Sequence, residues 1–324
     1  MQTFIRCIFP HRRLLTACFL LAMFQGVASA ASRTVTGPGT IVVTIKPLYS
    51  LLAQLTEGIT EPVLLLEQLP SAHHHSLLPS QRRLLANAEM IVWIGPQMES
   101  YLGKILQQQG DVRVVSAMQA DGLKMLPKRG QHGHDHESDT DDHATHEGNN
   151  IDPHIWLSTN NAIAISRHMA ASLMKHDPDN RAAYQQNLNS LISRINDTAN
   201  LISARLDTDE RSFIAYHDAY QYFDNEFGLD YIDAISLDEQ SGTSLKHLRE
   251  IRAEIQGQNI HCLVYQAPMP AIVGSLQEQA SIRATAIDPL GLTVKNNREA
   301  WFEIMVQLGE SFADCLSPHV DGSR

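Results

Sequence analysis

The feature of this sequence that most constrains the fold is a long helical pattern between two stretches of alternating strand and helix signals. Asp177-Pro178 is a helix start, in which an N-cap residue precedes a proline at the first helical position. Apolar residues then recur at helical spacing from Tyr184 to Leu206. A helix over 177–207 would be about 40 Å long, the height of a whole domain. Its length and position favour a rigid connection between two lobes over an ordinary amphipathic core helix.

Short apolar runs of strand length alternate with helical patterns on both sides of that segment. This order is typical of parallel strands joined by helices that cover both faces of the sheet. The predicted fold class is therefore α/β, with two doubly wound, Rossmann-like lobes joined by one long helix and a cleft between them. The predicted lobes are 31–176 and 208–324. The predicted strands are Ile41–Ile45, Val63–Glu67, Met90–Ile94, Val112–Val115, Phe213–Tyr216, Tyr231–Ile235, Cys262–Tyr265 and Ala284–Ile287.

Residues 1–30 have the pattern of an export signal. Three arginines precede an apolar core at 14–24 that is too short for a mature membrane span, and Ala28-Ser29-Ala30 is a typical cleavage site. Leu15-Thr16-Ala17-Cys18 superficially resembles a lipid-attachment site, but it stands at the start of the apolar core instead of its end. We therefore expect ordinary cleavage after Ala30, no lipid anchor and no membrane-spanning segment.

Charge and cysteine content after cleavage limit the choice of partners. The whole chain has a net charge of −11, and removing three arginines with the signal changes it to −14. An acidic balance argues against nucleic acid and is compatible with a cation as the ligand. Only Cys262 and Cys315 remain of the four cysteines. In an exported protein two cysteines most simply form one disulfide, and two buried free thiols are the alternative.

Residues 131–150 are rich in histidine and acid and contain too little apolar surface to build a core, so we expect a mobile arm. Imidazole and carboxylate at this density indicate a divalent metal of the zinc, copper or nickel type. The alternative is a polar surface loop that is rich in histidine by composition alone. The histidines of the arm are His132, His134, His136, His143 and His146.

Four further residues fall where ligands bind in open parallel sheets, beyond the carboxyl ends of the strands. His73 follows the second predicted strand, His217 the fifth and Asp288 the eighth, while His154 comes from the loop after the arm. Three imidazoles and one carboxylate suit tetrahedral Zn²⁺. Taken alone, each histidine is more often a surface residue or a satisfied core residue. Their joint placement is what indicates a metal site.

Several segments resemble those of a known family. They are 72–80 with 88–99, 152–158, 217–223 running into 227–229, and 288–291. In this order, and over essentially the whole mature chain, they are similar to the periplasmic zinc-binding proteins of ABC importers, the ZnuA-like members of the TroA-like cluster of metal-binding proteins. A His/Asp/Glu-rich arm between the first two ligand segments is itself a family habit. The resemblance implies two α/β lobes bridged by a long helix, in agreement with the pattern of elements.

The resemblance implies a particular ligand set. His73 is chosen from its triplet because its distance to Pro79-Ser80 matches the family's ligand, and His74 and His75 remain as substitutes. Manganese-binding relatives carry a carboxylate where this chain has His217, and an imidazole favours zinc because harder cations prefer oxygen ligands. The implied zinc ligands are His73, His154 and His217.

Two further details come from the resemblance. Some family members carry an acid just before the first histidine, whereas this chain has Ala72, so either water or Asp288 is left to complete the site. Cys262 and Cys315 match the family's disulfide. That bridge would close a loop of about fifty residues and contribute roughly 4 kcal/mol to the free energy of unfolding on a chain-entropy estimate.

These features predict a periplasmic protein that captures Zn²⁺ between its lobes and delivers it to the inner-membrane permease of an ABC importer. We expect a monomer that performs no catalysis and binds no nucleic acid. The arm should bind extra zinc weakly as a secondary site. Metal binding requires neutral imidazoles, so affinity should weaken below about pH 6.5.

Other functions remain open to the sequence. Three histidines and an open position also hold catalytic zinc, so a secreted zinc hydrolase is the alternative from a different class. Against it, the chain has no H-E-x-x-H motif, and Glu67, Asp152 and Asp218 are the only nearby acids that could act as a base. A manganese-binding relative, or a metal buffer or adhesin-like relative that never meets a transporter, would share the same ligand segments.

Overall fold

The computed structural model describes residues 39–67, 71–108, 110, 112–130, 150–236, 243–280 and 282–317. The export signal 1–30 and the arm, apart from Asn150, lie outside these residues, and the predictions made for them stay predictions. The five histidines of the arm also lie outside the described residues. No helix of the described ranges has both the length and the apolar character that crossing a membrane requires.

Strands and helices alternate along the described residues in the predicted order. The strands are β1 (Ile41–Val43), β2 (Val63–Leu64), β3 (Met90–Trp93), β4 (Arg113–Ser116), β5 (Ser212–His217), β6 (Asp230–Ser236), β7 (Cys262–Tyr265) and β8 (Arg283–Ala286). The α-helices are α1 (Lys46–Leu55), α2 (Pro79–Ala86), α3 (Ser100–Gln107), α4 (Thr159–His176), α5 (Arg181–Arg205), α6 (Gln221–Phe227), α7 (Leu245–Gly257), α8 (Ala271–Ala280) and α9 (Ala300–Leu316).

Two four-stranded parallel sheets confirm the predicted α/β fold class. Their strand orders are β2-β1-β3-β4 and β6-β5-β7-β8, so the two sheets have the same winding. All strand pairs in these sheets are parallel. The chain winds in opposite directions on the two sides of β1 and of β5. The carboxyl ends of the strands at these two switch points are where ligands of such folds bind.

Strand β2 is shorter than predicted. It has two residues where the sequence predicts five, Val63–Glu67. Leu65 still donates its backbone N–H to the Val43 carbonyl at 2.7 Å, but β1 ends at Val43. Among the described residues β1 is the one strand beside this edge strand, so no strand there extends the ladder beyond Leu65.

One hydrophobic core runs through both halves of the described chain. It includes Ile41 of β1, Phe213 of β5 and Phe312 of α9. A smaller core lies on the other face of the second sheet and includes Ile214. Successive residues of β5 enter different cores because side chains alternate across a strand.

The long helix α5 is both an amphipathic core helix and a connection between the sheets. Its 25 residues span about 37 Å and follow one turn of 3₁₀-helix at Pro178–Asn180, so the α-helix begins later than the predicted start at Asp177. It packs against α1, α4 and α9. The described residues form one compact unit, and the lobe boundaries at 177 and 207 stay a prediction.

The loop after β8 of the second sheet is hydrogen-bonded to the start of α1, the helix that follows β1 of the first sheet. The Lys46 ammonium is buried and donates to the carbonyls of Gly291 and Val294, the latter at 2.6 Å. Burial lowers the pKa of Lys46, and the carboxylate of Asp288 opposes this shift. The predicted disulfide is confirmed, since Cys262 of β7 and Cys315 of α9 are bonded.

Gly291→Ala tests this junction. Gly291 has φ +70°, and a Cβ there would lie 2.5 Å from Cδ1 of Ile304. Left-handed backbone costs alanine about 1–2 kcal/mol and overpacking adds about 1–3, so urea titration should show the free energy of unfolding lowered by about 2–5 kcal/mol. Gly58→Ala is the matched control, because Gly58 has φ +75° with nothing within 4 Å of the added Cβ. Equal losses in both variants would show that the contact with Ile304 is unimportant.

Glu99 holds the loop between β3 and α3. Its side chain is fully buried, and Oε2 accepts hydrogen bonds from the backbone N–H groups of Ile94 (2.9 Å) and Gly95 (3.2 Å). Burial raises the pKa of Glu99 to about 7, although the Thr44 hydroxyl and these two amides favour the carboxylate. The loop that Glu99 fixes contributes Pro96, Gln97 and Met98 to the wall of the cleft that contains His154.

Glu99→Gln should remove one source of pH-dependent stability. The pKa of Glu99 rises from 4.5 to about 7 on folding, so the free energy of unfolding should fall as pH increases through this window. Glutamine keeps an acceptor oxygen and cannot ionise. The free energy of unfolding of metal-free Glu99→Gln should therefore exceed that of the wild type by up to about 3 kcal/mol above pH 7, and this gain should shrink towards pH 5. Exposed Glu278→Gln is the control. A gain that does not vary with pH would contradict this.

Candidate metal centre

Three histidines from distant segments meet at one point. His73 lies in the loop after β2, His154 precedes a single turn of 3₁₀-helix at Ile155–Leu157, and His217 is the last residue of β5. One ring nitrogen from each of the three lies within 4.8 Å of the others. His154 and His217 are buried and His73 is half-buried, so a cation at this point would be largely shielded from solvent.

The spacing of the imidazoles suits a single metal ion. The Nε2 atoms of His73 and His154 are 3.2 Å apart, and the ring centroids of His73 and His217 are 6.0 Å apart. In tetrahedral zinc sites with Zn–N distances near 2.05 Å, ligand nitrogens lie about 3.3 Å from each other. The first pair already has this separation, and a ring nitrogen of His217 lies within 4.8 Å of both.

The orientation of His154 is set by Asp152. Nδ1 of His154 lies 2.7 Å from Oδ1 of Asp152, which also accepts from the His154 backbone N–H at 3.0 Å. We therefore assign the proton to Nδ1, which leaves the Nε2 lone pair directed at the cluster. The Tyr222 hydroxyl donates to the Asp152 carbonyl at 2.7 Å and accepts from the N–H of Leu126 at 3.1 Å. Such a partner fixes the tautomer and ring position of a metal-binding histidine.

The segment after His217 is held by Arg129. Its guanidinium is 3.2 Å from Asp218, binds both oxygens of Asp224 at 2.8 Å, and lies 3.9 Å from the ring centroid of Tyr231. Burial raises the pKa of Asp218 to about 6 and that of Asp224 to about 7, and Arg129 opposes both shifts. Arg129 therefore compensates buried acid next to the cluster and fixes the residue that follows His217.

The environment of His73 keeps its imidazole neutral. Burial lowers the pKa of His73 to about 2, with contributions from positive charge on His154, His217, Lys128 and His74. A neutral imidazole is the form that binds a metal, so His73 needs no deprotonation near neutral pH. The ammonium of Lys128 is thus close enough to the cluster to act on it electrostatically.

The cluster opens into a cavity of about 500 Å³. The loop after β3, the loop after β2 and the segments that flank the arm form its walls. The lining residues are His73, His74, Pro96, Gln97, Met98, Ser100, Lys128, Arg129, Asn150, Asp152, Pro153, His154, His217 and Asp218.

Asp288 is not brought into this group. Its Oδ2 accepts hydrogen bonds from the backbone N–H (2.9 Å) and hydroxyl (3.0 Å) of Thr293, and its charge acts on Lys46. It lines a different cavity, of about 230 Å³. Of the two substitutes for His73, His74 lines the cleft, whereas Nε2 of His75 lies 3.0 Å from Oε1 of Gln81 in α2.

Sequence reasoning missed the residues at the base of the arm. The arm leaves and re-enters the fold at neighbouring points, since Lys128 N–H donates to the Asn150 carbonyl at 2.8 Å and Asp152 N–H to the Leu126 carbonyl at 2.9 Å. Any insertion must begin and end close together, so this proximity was available from the sequence. It would have placed Lys128 and Arg129 beside Asp152 and the cluster.

Comparison with known proteins agrees with this geometry. The family model ZnuA, "Zinc-uptake complex component A periplasmic", matches residues 41–315. The high-affinity zinc uptake system protein ZnuA of Brucella suis biovar 1 (strain 1330) is 29% identical over 336 residues, covering 95% of this chain and 98% of that protein. The resemblance seen in the sequence is thereby confirmed.

Solved structures show the same fold. A crystal structure of ZnuA superposes with a TM-score of 0.71 at 21% identity, covering 86% of this chain and 100% of that one. A deletion mutant of ZnuA with zinc bound gives a TM-score of 0.71 at 20% identity, covering 87% and 99%. The agreement extends over both sheets and the long helix between them.

Asp152→Asn tests the role of the partner of His154. The amide lacks the charge that stabilises the Nδ1–H tautomer, so competition titration with a chelating dye should show zinc affinity about 10–100-fold weaker. Asp177→Asn is the matched control, because Asp177 is a buried acid that accepts from Tyr184 at 2.9 Å, at the junction of α4 and α5. Similar losses in both variants would mean that reduced stability, and not the tautomer, explains the result.

Proposed function

Because the chain belongs to the ZnuA family of zinc-uptake complex components, we propose that it captures Zn²⁺ with high affinity and delivers it to the inner-membrane permease of an ABC importer. The observation that carries this proposal is the meeting of His73, His154 and His217 in a shielded cleft. Three neutral imidazoles suit a borderline-soft cation such as zinc better than a harder one such as manganese.

We propose these three histidines as the ligands, with the fourth position open to the cavity. Asp288 was the alternative from the sequence. Its hydrogen bonds to Thr293 and its charge interaction with Lys46 favour a structural role in the loop after β8. An open position allows a bound ion to exchange ligands, as delivery to a permease requires.

The proposed function involves binding and release without catalysis. A zinc hydrolase would need a base near the metal. Asp152 is engaged with His154 and Asp218 with Arg129, while Glu67 lines a small separate cavity beside Lys46. These three acids were the candidates for that base, and their positions support a binding protein. Location in the periplasm, a monomeric state and the permease partner belong to the same proposal.

His217→Ala tests the proposed site. Losing one of three protein ligands should weaken zinc binding by at least about 100-fold, since each ligand contributes directly to the coordination sphere. The measurement is zinc content after dialysis, followed by competition titration, on protein purified without a histidine tag. His168→Ala is the matched control, because His168 lies on α4 and does not line the cleft. Asp288→Asn should stay within about threefold of the wild type if the fourth position is open.

The arm is proposed as a weak secondary site. Protein without residues 131–149 should retain one tightly bound zinc per chain and lose only the weaker binding of His132, His134, His136, His143 and His146. Stoichiometry by titration calorimetry separates the two classes. If the shortened protein holds no tight zinc, the arm is the principal binder and the proposed division is wrong.

A further inference from the structure

The cleft is far larger than its proposed cargo requires. Its volume of about 500 Å³ lies within the range of about 300–1,000 Å³ that is typical of small-molecule sites. One water molecule takes up about 30 Å³. A zinc ion with a single coordinated water would therefore leave most of the cavity to other occupants.

Lys128 differs from the other charged residues of the cavity wall, because the described residues supply it with no partner of opposite charge. Arg129 is neutralised by Asp218 and Asp224, and Asp152 is bonded to His154. Within the described ranges no carboxylate lies within 4.0 Å of the Lys128 ammonium, which lines the same cavity.

Lys128 opposes the binding of a bare cation. The three imidazoles carry no charge, so the exposed ammonium of Lys128 repels a divalent ion at the cluster, although solvent and the carboxylate of Asp152 weaken that repulsion. A lysine in this position is unfavourable for a site that receives the metal alone. The same lysine is favourable if an anion enters with the metal, because the anion can contact both positive charges.

We propose that the cleft takes up Zn²⁺ together with a small di- or tricarboxylate anion. One carboxylate of the anion occupies the open coordination position, and another pairs with Lys128. His74 and Ser100 line the same cavity and supply further hydrogen-bond donors. This inference rests on the proposed zinc-binding function and adds a second component to the cargo.

The test uses the full chain loaded with Co²⁺, whose visible absorption reports the ligands of a four-coordinate site. Malonate is the anionic probe, and malonamide is the neutral analogue. We expect malonate to shift the absorption bands saturably, with one malonate per chain, and malonamide to have no effect.

Lys128→Met separates the two parts of the inference. Without a charge-assisted hydrogen bond, malonate should bind the Co²⁺-loaded variant about tenfold or more weakly. Without the repulsion, the metal alone should bind a few-fold more tightly than it binds the wild type. If Lys128 had a purely structural role, its replacement would weaken the binding of malonate and of the metal alike. Lys128→Arg should restore malonate binding, and Lys104→Met on α3, outside the cavity, is the matched control.

The outcomes distinguish this inference from the function on which it rests. If the protein holds neither Zn²⁺ nor Co²⁺ in the cleft, the proposed function fails. If it holds the metal but malonate leaves the spectrum unchanged, only the inference is overturned. Equal malonate affinity in Lys128→Met and the wild type would also overturn it, because the anion would then bind without its proposed partner.

Discussion

The metal centre depends on the carboxyl edges of two separate sheets being held facing each other. The contact that holds them is buried, since the Lys46 ammonium of α1 donates to the carbonyls of Gly291 and Val294 in the loop after β8. A buried charged donor without acceptors would cost several kcal/mol, so these carbonyls strongly favour one arrangement of the sheets. Asp288 contributes by favouring the charged form of Lys46. The scaffold therefore contributes to the distances between the imidazoles.

Much of the fold could be predicted because buried parallel strands are continuous apolar runs. Most of the strands begin and end within one or two residues of the predicted positions. The exception, β2, depends on where its neighbour β1 ends, which a local pattern does not contain. The start of α5 differs for a similar reason. The residues Pro178–Asn180 form a tighter turn, and Asp177 accepts from Tyr184 instead of capping the α-helix.

The candidate site could be predicted to the level of strand ends. The rule that ligands bind beyond carboxyl ends selects His73, His217 and Asp288 equally, because it places backbone and not side chains. Only the structure shows that the Asp288 carboxylate turns towards Thr293. The partners of the site, such as Arg129 and Tyr222, come from positions far apart in the chain, and single-sequence patterns do not reveal such pairings.

The charges around the cleft would allow the proposed site to bind zinc tightly and still release it. The nearest acids, Asp152 and Asp218, are engaged by His154 and Arg129, so neither is placed to coordinate the ion directly. A metal held by neutral ligands keeps its full charge and stays attractive to an anion or to a more negative site elsewhere. In this proposal, selectivity comes from the three fixed nitrogens, while the open position and Lys128 control the charge balance. Because these two functions use different residues, affinity can change without disturbing the geometry that selects the metal.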